Sequence, residues 1–234
     1  MRSKNATSVQ FVGGWYITMT DSLGFLQYIS RENKILQNNL KEYLYLFENK
    51  IYSKVREDEF EFNNQLKNTE KKFIDIKSKL DTNQIFKLNF TDEIGNYDFE
   101  KSSFPILWKS NGLQLLSDKW EFSTPEDINK NKIQLTDLRI NFNNAASFSL
   151  LPIIQEKANF LIKKRKDLSG QVDRKIYMQI HFKIKEIKNG NDSGFKQTFI
   201  IGEKYLMCKI LKIDFFEDKF PSYNFINSIG TFEF

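Results

Sequence analysis

The sequence predicts an α+β protein, with a helical arm over about 30–81 and then an antiparallel β-rich body carrying one inserted helix at about 150–166. Three observations carry this. The stretch Ser30 to Thr82 contains no glycine or proline, and its apolar side chains recur every three or four residues, the helical period. From Ile176 to Ile184 apolar and polar residues alternate strictly, the period of a strand. Between 149 and 170, Ser149, Pro152 and Gly170 frame an apolar stripe of helical spacing. The expected division is an N-terminal segment with the arm at 1–83 and the body at 84–234.

Residues 1–20 start polar and turn apolar at Phe11, as a short strand or an extended segment would. Asp21 is a candidate N-cap for a helix through Leu23, Phe25, Leu26 and Ile29. The arm follows. Its first half aligns Leu36, Leu40, Tyr43, Phe47, Ile51 and Val55. Its second half aligns Phe62, Leu66, Phe73, Ile76 and Leu80 in a heptad seam, with Thr69 as the one polar member. The two halves are out of register between Ile51 and Phe62, by more than the slow drift of a straight helix.

At that junction Lys50, Lys54 and Arg56 suit a helix C-terminus, while Asp58 with Glu61 suits a helix start. Two forms of the arm follow: one long, kinked helix, or a helical hairpin. The long helix is preferred, because no Gly, Pro or Asn marks a corner at 56–59. It would leave the seam in need of a partner, either a second copy or another protein.

In the body, Phe86, Leu88 and Phe90 alternate with Lys87 and Asn89 as a half-buried strand. Pro105 makes 103–106 an edge or a bulge. Trp120–Phe122 and Leu138–Phe142 read as further short strands. Ser149 is read as the cap of the inserted helix, with Pro152 in its first turn. The segment 174–216 reads as a three-stranded meander: a strand with one wet face, a return over Phe195–Ile201, and a central strand Tyr205–Phe216.

Composition narrows the chemistry. Hydrophobic residues are 40% of the 234, and 23 phenylalanines make the core aromatic. The net charge of +5 is too mild to demand a nucleic acid, and the arm is near neutral with 11 basic and 10 acidic residues. The excess lies at 163–188, nine basic against three acidic. Lys163, Lys164, Arg165, Lys166, Arg174, Lys175, Lys183 and Lys185, beside Tyr177, form a candidate surface for a polyanion such as single-stranded nucleic acid.

One cysteine and one histidine cannot fill a typical zinc site, and no phosphate-binding glycine loop occurs, so no cofactor is expected. Cys208 sits in an apolar run and reads as a buried thiol. His181 reads as an exposed residue on the wet face of its strand. Asp173 with Glu186-Ile187-Lys188 is loosely similar to the metal-dependent nuclease pattern of the restriction-endonuclease-like fold. That resemblance implies carboxylates on a magnesium ion and a lysine steadying the developing charge. The plainer reading is a solvated strand end before a turn.

No stretch through Ile29 is apolar enough to span a membrane, and no cleavage site follows Arg2 and Lys4. The expected location is the cytoplasm, or the cell envelope if a signal has been removed. The leading functional expectation is a non-enzymatic interaction module working through the arm; the alternatives are a nucleic-acid-binding protein using the 163–188 surface, with a magnesium-dependent nuclease as its sharper form, and an envelope-associated protein.

Overall fold

The computed structural model describes residues 9–11, 14–108, 113–114, 133, 135–189, 204–217 and 228–233. An eight-stranded sheet runs β1 (Val9–Phe11), β2 (Gly14–Thr18), β3 (Ile85–Glu93), β8 (Lys175–Asn189), β9 (Lys204–Phe216), β6 (Leu138–Phe142), β5 (Leu113–Gln114), and β10 (Ser228–Glu233) pairs with β9. Most neighbours are antiparallel; β2 with β3 and β6 with β9 are parallel. β4 (Ser103–Pro105) and β7 (Leu150–Pro152) form a separate two-stranded ladder. The α+β class holds.

β8 and β9 are the centre. Alternation puts Phe86, Phe90, Met178, Ile180, Phe182, Ile210, Ile213 and Phe215 on one apolar face, all buried. Two layers cover it. At one end sits α1 (Asp21–Arg31), capped by Thr20 rather than by Asp21 and in contact with both central strands. At the other end sits a lobe made of 94–108 and 144–174. There Trp108 packs on Phe90, with ring centroids 6.0 Å apart, and Phe148 packs on Phe232 at 5.4 Å.

The arm is not one helix. It is α2 (Gln37–Phe47), α3 (Asn49–Val55) and α4 (Glu59–Ser78), with α4 folded back on the others. The reason is aromatic. Tyr43 meets Phe73 edge-on at 5.2 Å and Tyr52 meets Phe62 at 6.1 Å, so each half buries the other's apolar side. The corner needs no glycine, because Arg56 keeps helical angles and the Asp58 carboxylate accepts from the Phe60 and Glu61 amides at 2.9 and 3.0 Å.

Leu66, Thr69 and Phe73 of the expected seam are therefore buried within this chain, Phe62 and Ile76 are half-buried, and Leu80 lies past the helix end. Nor does a boundary at 83 separate two cores. β2 pairs with β3, and a single cluster of buried side chains runs from Phe25 through Phe73 to Phe215.

Two further expectations change. The inserted helix is shorter, α5 (Gln155–Lys164), because Leu150–Pro152 pairs as a strand with Ser103–Pro105 and Ser149 ends a 3-10 turn. β9 pairs directly with β8 along its whole length, taking the place expected of Phe195–Ile201. That segment and Trp120–Phe122 lie outside the described residues. No helix among the described residues is long and apolar enough to cross a membrane.

One acid ties the helices to the sheet. Glu42 on α2 is fully buried and accepts from the amide and, at 2.8 Å, the hydroxyl of Thr136, which leads into β6. Burial pushes its carboxyl up to about 7, although both bonds from Thr136 favour the ionised form. The folded value lies above the ordinary 4.5, so its stabilisation is complete below that value and lost as pH rises through about 7. The unfolding free energy of the protein should thus fall by on the order of 3 kcal/mol between about pH 5 and pH 9 from this group. Denaturant titrations of the wild type and Glu42→Gln across that range check this: the variant should lack that part of the slope.

Candidate functional site

The lobe carries a cleft of about 400 Å³ lined by Tyr97, Phe99, Phe104, Gln155, Ala158, Asn159, Ile162 and Arg174. One wall is α5. Gln155, Ala158, Asn159 and Ile162 occupy positions i, i+3, i+4 and i+7, so they share one helical face. The opposite wall is the tight loop 97–104. Asp98 and Ser103 exchange backbone hydrogen bonds at 2.8 and 3.2 Å, and the Asp98 carboxylate accepts from the Glu100 and Lys101 amides, both at 3.0 Å. The Lys101 amide leads the effects that hold the Asp98 carboxyl below its ordinary value. Ser102 completes the loop with a positive φ of 46°.

This loop presents three rings. Tyr97 lies 5.1 Å from Phe99 and 5.1 Å from Phe104, edge to face in both cases. The Tyr97 hydroxyl donates to the Ile153 carbonyl at 2.9 Å, locking its ring against the strand that leads into α5. Phe104 is fully buried, whereas Phe99 is 71% exposed at the mouth.

Arg174 is the one charged group among the described residues that line the cleft. Its carbonyl accepts from the Ile94 amide at 2.9 Å, and its guanidinium donates to the Gly95 carbonyl at 2.5 Å. Gly95 in turn donates to the Pro105 carbonyl at 2.8 Å, and a Cβ at this position would meet the Pro105 ring at 2.8 Å. Glycine is required there by the close approach, not by a turn. No carboxylate pairs with Arg174 among the described residues.

The other sequence candidates are dispersed. Arg165 donates both arms of its guanidinium to the Lys175 and Glu217 carbonyls, and Lys164 pairs with Glu217 at 2.8 Å. Lys163, Lys166 and Lys175 are exposed near α5's C-terminal end. Lys183 and Lys185 lie further along β8, with Lys185 ~30 Å from Lys175 at the rise of a strand. The eight basic residues therefore do not form one face. Glu186 and Lys188 pair with each other at 3.3 Å near the far end of β8, while Asp173 precedes its start and accepts from the Lys175 amide. They are ~40 Å apart and share no metal position. No group of acids, cysteine and histidine suited to a metal occurs among the described residues.

His181 is not exposed. The second face of the sheet is held by polar side chains bonded across strands, and His181 there is only 6% exposed. Its Nε2 lies 3.0 Å from the Asp214 carboxylate, which also accepts from Thr231 at 2.7 Å and meets Lys212 at 3.2 Å. Burial raises the Asp214 carboxyl, but the bonds from His181, Thr231 and Lys212 outweigh it and hold the group below its ordinary value. Cys208 cannot join this histidine. It pairs with Ile184, three residues beyond His181 and therefore on the opposite face, where burial pushes its thiol strongly up.

What sequence reasoning missed is the cleft. Tyr97, Phe99 and Phe104 were visible only as aromatics in short segments, and the spacing Gln155, Ala158, Asn159, Ile162 was the one local signal of a shared face. Fold and site define an α+β protein with an aromatic-walled cleft on a lobe beside its main sheet. Residues 36–164, more than half of the chain, match the model of a family described as a domain of unknown function (DUF4852), and the chain belongs to that family. The matched stretch includes every cleft residue except Arg174. No curated protein and no solved structure matches the chain.

Replacing Gly95 by alanine should drive the Pro105 ring and the Arg174 anchor apart and cost about 1–3 kcal/mol of unfolding free energy. Chemical denaturation of Gly95→Ala measures it, and a neutral result would show that the close approach has room to relax.

Proposed function

We propose that the protein is a non-enzymatic recognition module whose binding surface is the cleft of the lobe, not the helical arm. The observation that carries this is Phe99, 71% exposed yet fixed on a tightly hydrogen-bonded loop at the mouth of the cleft. A large apolar side chain held rigid in water, beside a concave wall of mixed aromatic and amide character, is what ligand sites present. Phe99, Leu107, Ile154, Phe160 and Leu168, five of the nine exposed large hydrophobic residues among those described, fall in this lobe. The arm offers less, since its seam is buried against its own chain.

A second reading, attraction of a polyanion, is favoured by Lys163, Lys166 and Lys175, which are exposed and have no acidic partner among the described residues. Lys163 follows Asn159 by one helical turn and so carries its charge on the cleft's side of α5.

The test is a screen of small aromatic fragments against the isotope-labelled full chain by NMR, followed by Phe99→Ala. Fragments should shift the signals of 97–104 and 155–162, and Phe99→Ala should weaken them about 3–10-fold while leaving the folding midpoint unchanged. Shifts confined to other parts of the chain would overturn the cleft reading. Binding to 163–175 that weakens steeply with salt would favour the polyanion reading instead.

A further inference from the structure

We infer that the cleft selects a carboxylate joined by a short spacer to an aromatic ring. This rests on the reading of the cleft as a ligand site and names what it takes. The rings of Tyr97, Phe99 and Phe104 stand edge to face at 5.1 Å, leaving both edges and faces as partners for one further ring. Ala158 and Ile162 make the floor apolar. Such a wall by itself would accept any ring.

Arg174 supplies the selection. It is the single ionic group among the described lining residues, and no acid among them neutralises it. Nη1 donates one hydrogen to the Gly95 carbonyl, with nitrogen and oxygen 2.5 Å apart, which fixes the plane of the fork and leaves the remaining N–H donors of the guanidinium. A planar fork of that kind matches a carboxylate through two parallel bonds. A phosphate dianion or a polyanion would call for more than one cation in the cleft, and Arg174 is the one cation among the described lining residues, Lys163 lying a helical turn beyond Asn159 outside that lining.

The amides of Gln155 and Asn159 on the facing helix can both donate and accept, so they suit a polar spacer between ring and carboxylate. The volume, about 400 Å³, is at the small end for a ligand pocket and fits one ring with its acid. Two sources share this chemistry: a free aromatic acid, and the C-terminal residue of a peptide that ends in an aromatic side chain.

Calorimetry on the full chain tests it with four probes: N-acetylphenylalanine, its carboxamide, and a six-residue peptide ending in phenylalanine with a free or an amidated carboxyl group. Each acid should bind at least about 10-fold more tightly than its amide, the worth of a charge-assisted bond. Arg174→Gln should remove that ratio while leaving the affinity of the amides. Equal affinity of the two free acids assigns the site to a small acid; a peptide preference of about 10-fold assigns it to a chain terminus. Either supports the inference.

Acids and amides binding alike to the unaltered chain would overturn the carboxylate selection and leave the cleft as a ligand site. No binding by any of the four, together with no fragment contacting the cleft, would overturn both. The acid–amide comparison uses the unaltered protein, so a folding defect in Arg174→Gln cannot obscure the answer.

Discussion

The structure depends on one constraint: the apolar face shared by β8 and β9 is long, and no single layer covers it. β8 alone runs from Lys175 to Asn189. Its far end is closed by α1, and α1 in turn needs α2 and α4 to bury Phe25 and Tyr28, both at or near zero exposure. Its near end is closed by the lobe through Trp108 and Phe148. Buried aromatic area of this kind stabilises by about 1.5–3 kcal/mol for each side chain, so neither layer detaches cheaply. The helical seam is used up in the first task. The cleft is a by-product of the second, where α5 and the loop 97–104 meet above a ladder of only two short strands.

Arginines show the same division of labour. Arg31 donates to the Gln27 carbonyl at 3.0 Å, and burial holds its guanidinium below the ordinary value. Arg165 bridges two carbonyls where the lobe meets the ends of β8 and β9. Arg31 thus stays on its own helix, and Arg165 is the strut. Arg174 is anchored at one edge only and turns toward a cavity, which is why the candidate site is placed there and not on the sheet. The polar face of the sheet looks more catalytic, with a histidine beside an aspartate, but Asp214 is already engaged by His181, Thr231 and Lys212. That carboxylate is therefore already engaged within the sheet's polar face.

Much of the fold was legible because the signals were local. Leu138–Phe142 is a strand with the expected ends, the alternation at 176–184 falls on β8, and the apolar run from Tyr205 is the central β9. Other features were set by partners distant in sequence. Ser149 and Pro152 have the chemistry of a helix start, yet the chain there is claimed by a strand pairing with Ser103–Pro105. The corner at 56–58 carries no turn residue because Asp58 alone supplies the cap. His181 sits on a polar face, which in sequence reads as wet, whereas its neighbours bond to one another across three strands. The cleft needed Gly95, Tyr97, Asn159 and Arg174 to converge from three segments, and no periodicity records that.

Hydrogen–deuterium exchange of the full chain, with and without saturating N-acetylphenylalanine, weighs the lobe against the arm directly. The ligand should slow exchange at 96–104 and 155–162 and leave 59–78 unchanged, with the arm's own protection independent of protein concentration. Protection that appears along 59–78 instead, or that grows there as the protein is concentrated, would mean that the arm is the binding surface after all.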